Sequence, residues 1–194
     1  MKKIFAAMLA MIMTLSLCGC NVSINQPEDR IDEFFEAVID KNEDVLIIYT
    51  ENKDINALLH CTGSEEQLNR IHENLVKNLS YEIVHVKMNE DETAATAVVS
   101  ITKSDFSNVL DNYKKAAIKY MTDNIYKDDV TKEVMTEKCL SLYADEIENT
   151  AASTDGLVTA EVTIELMIND YHEWDMVMTD ELSKATIGNL TFPE

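Results

Sequence analysis

The sequence predicts an α+β domain: N-terminal helices packed on an antiparallel sheet of about four strands, with a long helical insertion between two strand pairs. Three observations predict it. The apolar period falls from 3.6 to 2 near residue 80. Helical spacing returns from Ser104 to about Ala152. Clean alternation then resumes from Val158 to Leu166.

The elements follow in order. From Pro27 onward, Ile31, Phe34, Phe35 and Val38 recur at helix spacing, with acids in the first turn. Asn42-Glu43-Asp44 breaks that helix. A short helix from Val45 to Tyr49 follows, then a less regular piece through Leu58 and Leu59. Ser64-Glu65-Glu66-Gln67 fits a capping box and opens a helix whose face holds Leu68, Ile71, His72 and Leu75. Between Tyr81 and Met88, the set Tyr81, Ile83 and His85 alternates with Glu82, Val84 and Val86, which places Tyr81 and His85 on one strand face. Asn89-Glu90-Asp91-Glu92 turns the chain, and Ala95, Ala97, Val99 and Ile101 then share a face opposite Thr96, Ser100 and Thr102.

In the insertion, Ser104 or Asp105 caps a helix carrying Phe106, Val109, Leu110, Tyr113, Ala117, Tyr120 and Met121. Asp128 or Asp129 caps another, with Val134, Met135, Cys139, Leu142 and Tyr143. The aromatics Phe106, Tyr113, Tyr120 and Tyr143 at this spacing read as core packing. Gly156 ends the insertion, and Val158 to Leu166 forms a half-buried strand. Asn169-Asp170 makes a tight turn, and Trp174, Met176 and Met178 face inward on the return strand. A short helix from Asp180 and an extended tail close the chain. Strands are thus expected near 79–88, 93–103, 157–168 and 172–179, in one sheet, with Trp174 buried against the helices.

The N-terminus reads as a secretion signal. Lys2 and Lys3 precede an apolar run from Ile4 to Leu17 that is too short to span a bilayer, which needs about 20 residues. It ends in Leu17-Cys18-Gly19-Cys20, which resembles the lipobox of bacterial lipoproteins. That resemblance implies removal of residues 1–19, lipidation of Cys20, and a location at the outer face of a cell membrane. Residues 20–26 would be a lipidated linker and 27–194 a single domain. A six-residue linker reaches roughly 20 Å when extended, which would hold the domain near the bilayer.

Removing residues 1–19 takes away two lysines and no acid, so the net charge goes from −20 to −22. A surface this acidic repels phosphates, which excludes nucleic acid as a partner and leaves the lipid to hold the membrane. The expected partners are the bilayer, through acylated Cys20, and an unidentified protein or small molecule.

Helices followed by an antiparallel sheet with one face open to them is the plan of an α+β cone. The order resembles the nuclear transport factor two-like (cystatin-like) superfamily. The local text is similar to uncharacterised lipoproteins of Gram-positive bacteria that carry such domains. The matching pieces are Asp32-Glu33-Phe34-Phe35-Glu36-Ala37, Leu79-Ser80-Tyr81-Glu82-Ile83, Ala95 to Thr102 with Asp105 after it, and Trp174 through Gly188-Asn189-Leu190. The resemblance implies a curved sheet. It also implies two functions: a non-catalytic binding module, or a small-molecule isomerase, dehydratase or cyclase using the cone interior.

The chain carries no glycine-rich phosphate loop, nucleophile elbow or paired-cysteine or HExxH metal signature, so no cofactor is expected. The run Asp170-Tyr171-His172-Glu173-Trp174-Asp175 is rich in ligand atoms, but neighbours in a strand point to opposite faces. The enzyme reading would use Tyr81, His85 and Trp174 as pocket-lining residues, with His85 as a general base. Cys61 and Cys139 remain after processing. An even pair in an exported domain invites a disulfide, yet Cys139 lies on an apolar helix face that suits a free thiol. Sequence leaves that pairing open.

Overall fold

The computed structural model describes residues 26–127 and 130–193. The signal segment, Cys18, Cys20, Asp128 and Asp129 lie outside the described residues. Helix α1 (Pro27–Asp40) starts with proline at its first position, where a missing N–H costs nothing. The Asp29 carboxylate accepts the backbone N–H of Gln26 at 3.2 Å. After α2 (Glu43–Leu46) comes a 3-10 turn, Ile47–Tyr49. The irregular piece of the sequence is helix α3 (Lys53–His60), and its signal is Asn52, whose side-chain oxygen accepts from the amides of Asp54 and Ile55. Helix α4 (Glu65–Val76) does begin after Ser64, but not with the expected capping box. The Ser64 hydroxyl donates instead to Glu137 at 2.7 Å.

Strands β1 (Ser80–Met88) and β2 (Ala94–Ser104) form the first hairpin. Helices α5 (Val109–Asn124) and α6 (Lys132–Ala152) make the insertion. Neither starts where the sequence reading put it. Asn108 takes the cap position of α5, Ser104 being the end of β2. Thr131 caps α6, accepting from the Val134 amide at 3.3 Å. Strands β3 (Leu157–Ile168) and β4 (Trp174–Met176), then helix α7 (Asp180–Ile187), complete the chain. The four strands form one antiparallel sheet in the order β1-β2-β3-β4.

The inner sheet face is solid. Ala95, Ala97 and Val99 of β2 sit opposite Leu166, Ile164 and Val162 of β3, all buried. Ile31, Phe34, Phe35 and Val38 of α1 close over them, joined by Leu46, Ile55, Leu182, Trp174 and Met176. Each such side chain contributes about 1.5–3 kcal/mol by leaving water. The insertion does not lie across this face. It builds a second core beside the first, where Tyr143, Ala144, Ile147 and Ala151 of α6 meet Ile71 and Leu75 of α4, together with Phe106, Ile187 and Leu190.

Gly188 ties the end of α7 to the end of β2. Its φ is +66°, and an added Cβ would lie 2.3 Å from the Ser104 carbonyl oxygen and 2.6 Å from the Phe106 ring. The Phe106 amide donates to the Gly188 carbonyl at 2.7 Å. Only glycine fits both the left-handed backbone and the close approach.

Candidate functional site

One residue in β1 redirects everything after it. Ile83 pairs with Val99, but His85 pairs with Val98, so the strand carries a bulge at Val84. Beyond it Val86, not His85, faces the core, and Val84 and His85 are both exposed. The expected shared face of Tyr81 and His85 is therefore broken. Tyr81 remains on the inner side, stacked on Phe35 with ring centroids 4.2 Å apart. Its hydroxyl donates to Asp32 at 2.8 Å, and burial first, then Asp32, pushes its pKa upward.

Trp174 is buried at the other edge of the sheet, on β4. Tyr81 faces Ile101, whereas Trp174 faces Ile168, which bonds back to Thr93. Eight residue steps along the chain, from Thr93 to Ile101, separate those two registers, about 27 Å at the usual strand rise. Tyr81, His85 and Trp174 are thus not brought together. The run from Asp170 to Asp175 is a hairpin turn, Asp170 to Glu173, followed by the first two residues of β4. Asn169 accepts the amides of Tyr171 and Glu173, and His172 takes a left-handed φ of 66° and is exposed. Among the described residues no group of three or more His, Cys, Asp or Glu converges as a metal site would need. Cys61 and Cys139 are both free and half-buried, and burial pushes both thiols up.

The structure draws attention elsewhere, to a cleft of about 610 Å³ where α1, the 3-10 turn, β4 and the start of α7 meet. Arg30, Tyr49, Glu51, Asn52, Asp175 and Asp180 supply its polar wall, and Ile48, Met176, Val177 and Met178 its apolar wall. Arg30 reaches it from the first turn of α1. Its side chain is only 12% exposed, ion-paired with Glu33 and 3.8 Å from Asp175. The guanidinium also stands over the Tyr49 ring, 5.9 Å from its centroid. Burial works to lower the guanidinium's pKa. Tyr49, Glu33 and Asp175 overcome that and leave it raised, so the cation is permanent.

Burial pushes the Tyr49 phenol up to about 12, with the Arg30 cation opposing. Its hydroxyl is therefore neutral across the physiological range. Yet among the described residues Tyr49 Oη and Arg30 Nε, both buried, find no well-formed hydrogen bond beyond the loose contact their two side chains make with each other. Leaving one such group unpaired costs about 1–3 kcal/mol, so native interiors rarely keep two side by side. At the rim, Asn52 both caps α3 and donates to Asp180 at 3.4 Å.

A second buried cation lies apart from the cleft. Lys103 continues the inward alternation of Ala95 to Ile101, is 3% exposed, and donates to the carbonyls of Lys184 (3.1 Å) and Ala185 at the end of α7. Burial lowers its pKa to about 8 against the pull of Asp105.

Sequence reading missed Arg30, Tyr49 and Lys103 as special positions. A signal existed for two of them: Arg30 flanks the buried stripe of α1, four residues before Phe34, and Lys103 sits in phase with four apolar residues.

No family model matches the chain, and no curated protein does. A solved Bacillus subtilis structure described as a lipoprotein, YcdA, is similar at 19% identity, over 82% of this chain and 47% of that one, with a TM-score of 0.42. The chain spans about half the length of that protein. A superposition this loose fixes neither a family nor a role. No described helix is long and apolar enough to cross a membrane.

Proposed function

We propose that the chain is a non-catalytic binding module, held at the outer face of a cell membrane by lipidated Cys20, and that its ligand occupies the cleft between Arg30 and Asp180. One observation carries the binding reading: Tyr49 Oη and Arg30 Nε are buried in the cleft wall and, among the described residues, meet no well-formed partner beyond a loose contact with each other. A ligand atom there would complete what the protein leaves open. The anchor reading rests on the lipobox at Leu17 to Cys20. The isomerase-type alternative needs an open cone interior, and that volume is filled by Phe34, Phe35, Ile164 and Leu166, each 0% exposed. Its intended base, His85, is turned outward.

Two measurements test this. Cys20→Ala should release the protein from the membrane fraction or stall its processing; a membrane-bound variant of normal mature size refutes the anchor. A thermal-shift screen should yield ligands that stabilise the natural protein and lose that effect in Tyr49→Phe. Ligands indifferent to Tyr49 refute the cleft.

A further inference from the structure

The cleft's charge is not balanced. Among the described residues Arg30 is the one cation lining the cleft, and it is already engaged by Glu33 and Asp175. Glu51 and Asp180 also line the cleft, and among the described residues neither has a basic side chain at ion-pair distance. The chain as a whole carries −20, so its field draws cations in and keeps anions out. A free carboxylate or phosphate is therefore a poor fit even though an arginine is present.

A metal ion is a poor fit as well. Calcium needs six to eight oxygens at 2.3–2.6 Å around one point, and the cleft's acids do not converge as a metal-binding group. A single charge on a flexible stem needs no such convergence and can be met by one or two carboxylates. Ile48, 57% exposed, and the thioethers of Met176 and Met178 offer such a stem an apolar, adaptable wall. Deeper in, the Tyr49 hydroxyl, contacted only loosely by Arg30, keeps a proton with no acceptor among the described residues and wants a neutral one.

Resting on the cleft reading above, we propose that the ligand is an organic cation: an ammonium or guanidinium group on an alkyl stem that also carries a neutral carbonyl or hydroxyl. The cation meets Glu51 and Asp180, the stem lies on Ile48 and the two methionines, and the oxygen accepts from Tyr49. A capped lysine has all three parts. A polyamine shares the cation and stem but lacks the acceptor, so the two sources separate at Tyr49.

The test uses the full chain in detergent, with the methionine methyl groups observed by NMR. Nα-acetyl-lysine amide should shift the Met176 and Met178 methyls and few of the other eight. Affinity should fall about tenfold for the norleucine analogue, which lacks the charge, and about tenfold in Glu51→Gln/Asp180→Asn. Tyr49→Phe should weaken acetyl-lysine amide roughly fivefold and leave spermidine unchanged. Equal binding of the norleucine analogue, or an unaffected double variant, overturns the cation while the cleft reading stands. Equal binding of calcium alone overturns the organic class. If no probe moves either methyl, both the class and the cleft reading fall.

Discussion

Replacing Lys103 with methionine tests whether the buried cation of β2 is under strain. The side chain is 3% exposed, and its pKa is lowered from 10.5 to about 8, burial being the cause. A cation depressed on folding destabilises the fold wherever it is protonated. Below pH 8 both folded and unfolded chains hold the proton, and the penalty is constant. Between pH 8 and 10.5 the unfolded chain holds a proton that the folded chain has shed, so stability rises with pH across that window. The full gain is the shift multiplied by 1.36 kcal/mol per pH unit, about 3 kcal/mol. Buried thiols and phenols, Cys61, Cys139 and Tyr49 among them, have raised values and act in the opposite sense as pH rises. The natural protein alone is therefore not diagnostic. The difference between it and Lys103→Met is, because both share those groups. Methionine keeps the stem's volume, and the Lys184 carbonyl retains the amides of Gly188 and Asn189. Urea unfolding followed by Trp174, the lone tryptophan, should show the difference moving by about 3 kcal/mol in favour of the natural protein from pH 7 to 10.5. A flat difference would refute the reasoning. It would mean that the two helix-end carbonyls fully offset the lost hydration, leaving Lys103 an ordinary lysine.

Tyr49→Phe removes a buried hydroxyl with no well-formed partner among the described residues and should raise stability by about 1–2 kcal/mol in ligand-free urea unfolding; a loss would show that the hydroxyl is satisfied. Gly188→Ala forces a Cβ against the Ser104 carbonyl at positive φ and should cost about 2–5 kcal/mol, read as a lower urea midpoint; a change under 1 kcal/mol would contradict the close approach. Thiol labelling of the denatured, unreduced Cys20→Ala precursor should find Cys61 and Cys139 both reactive. If both are protected until reductant is added, they are bridged to each other.

Much of the fold is legible because its signals are two-sided. In β3 apolar and polar residues alternate without conflict from Val162 to Leu166, and in β2 only Val98 interrupts the pattern from Ala95 to Ile101, so both strands declare their inner face. In β1 both sets hold apolar residues, Ile83 on one and Val84 and Val86 on the other. Only pairing with β2 breaks the tie, and it does so by inserting a residue, which no period can show. The insertion's helices were legible but not their destination, since an apolar stripe does not name what it packs against. The cleft was less legible still. It draws on four separate elements, and Tyr49 looks in sequence like any other aromatic at the end of a short helix. Ser64 shows the limit of local motifs: the text of a capping box is present, yet its side chain makes no bond to the first turn of α4 and donates across to Glu137 of α6.

The bulge at Val84 also bears on how closely these molecules can crowd together. Among the described residues the strand order leaves β1 and β4 as the edges of the sheet. Straight, unpaired edges invite strands from neighbouring molecules, a hazard that grows wherever chains are concentrated on a surface. β4 is three residues long and offers little to pair with. β1 is nine residues long and would be the hazard, but its pairing pattern is interrupted near its centre and exposes His85 beside the break. The same bulge that turns His85 outward thus keeps a long edge from serving as a template. Deleting Val84 would restore the sticky edge while leaving His85 outward, opposite Val98.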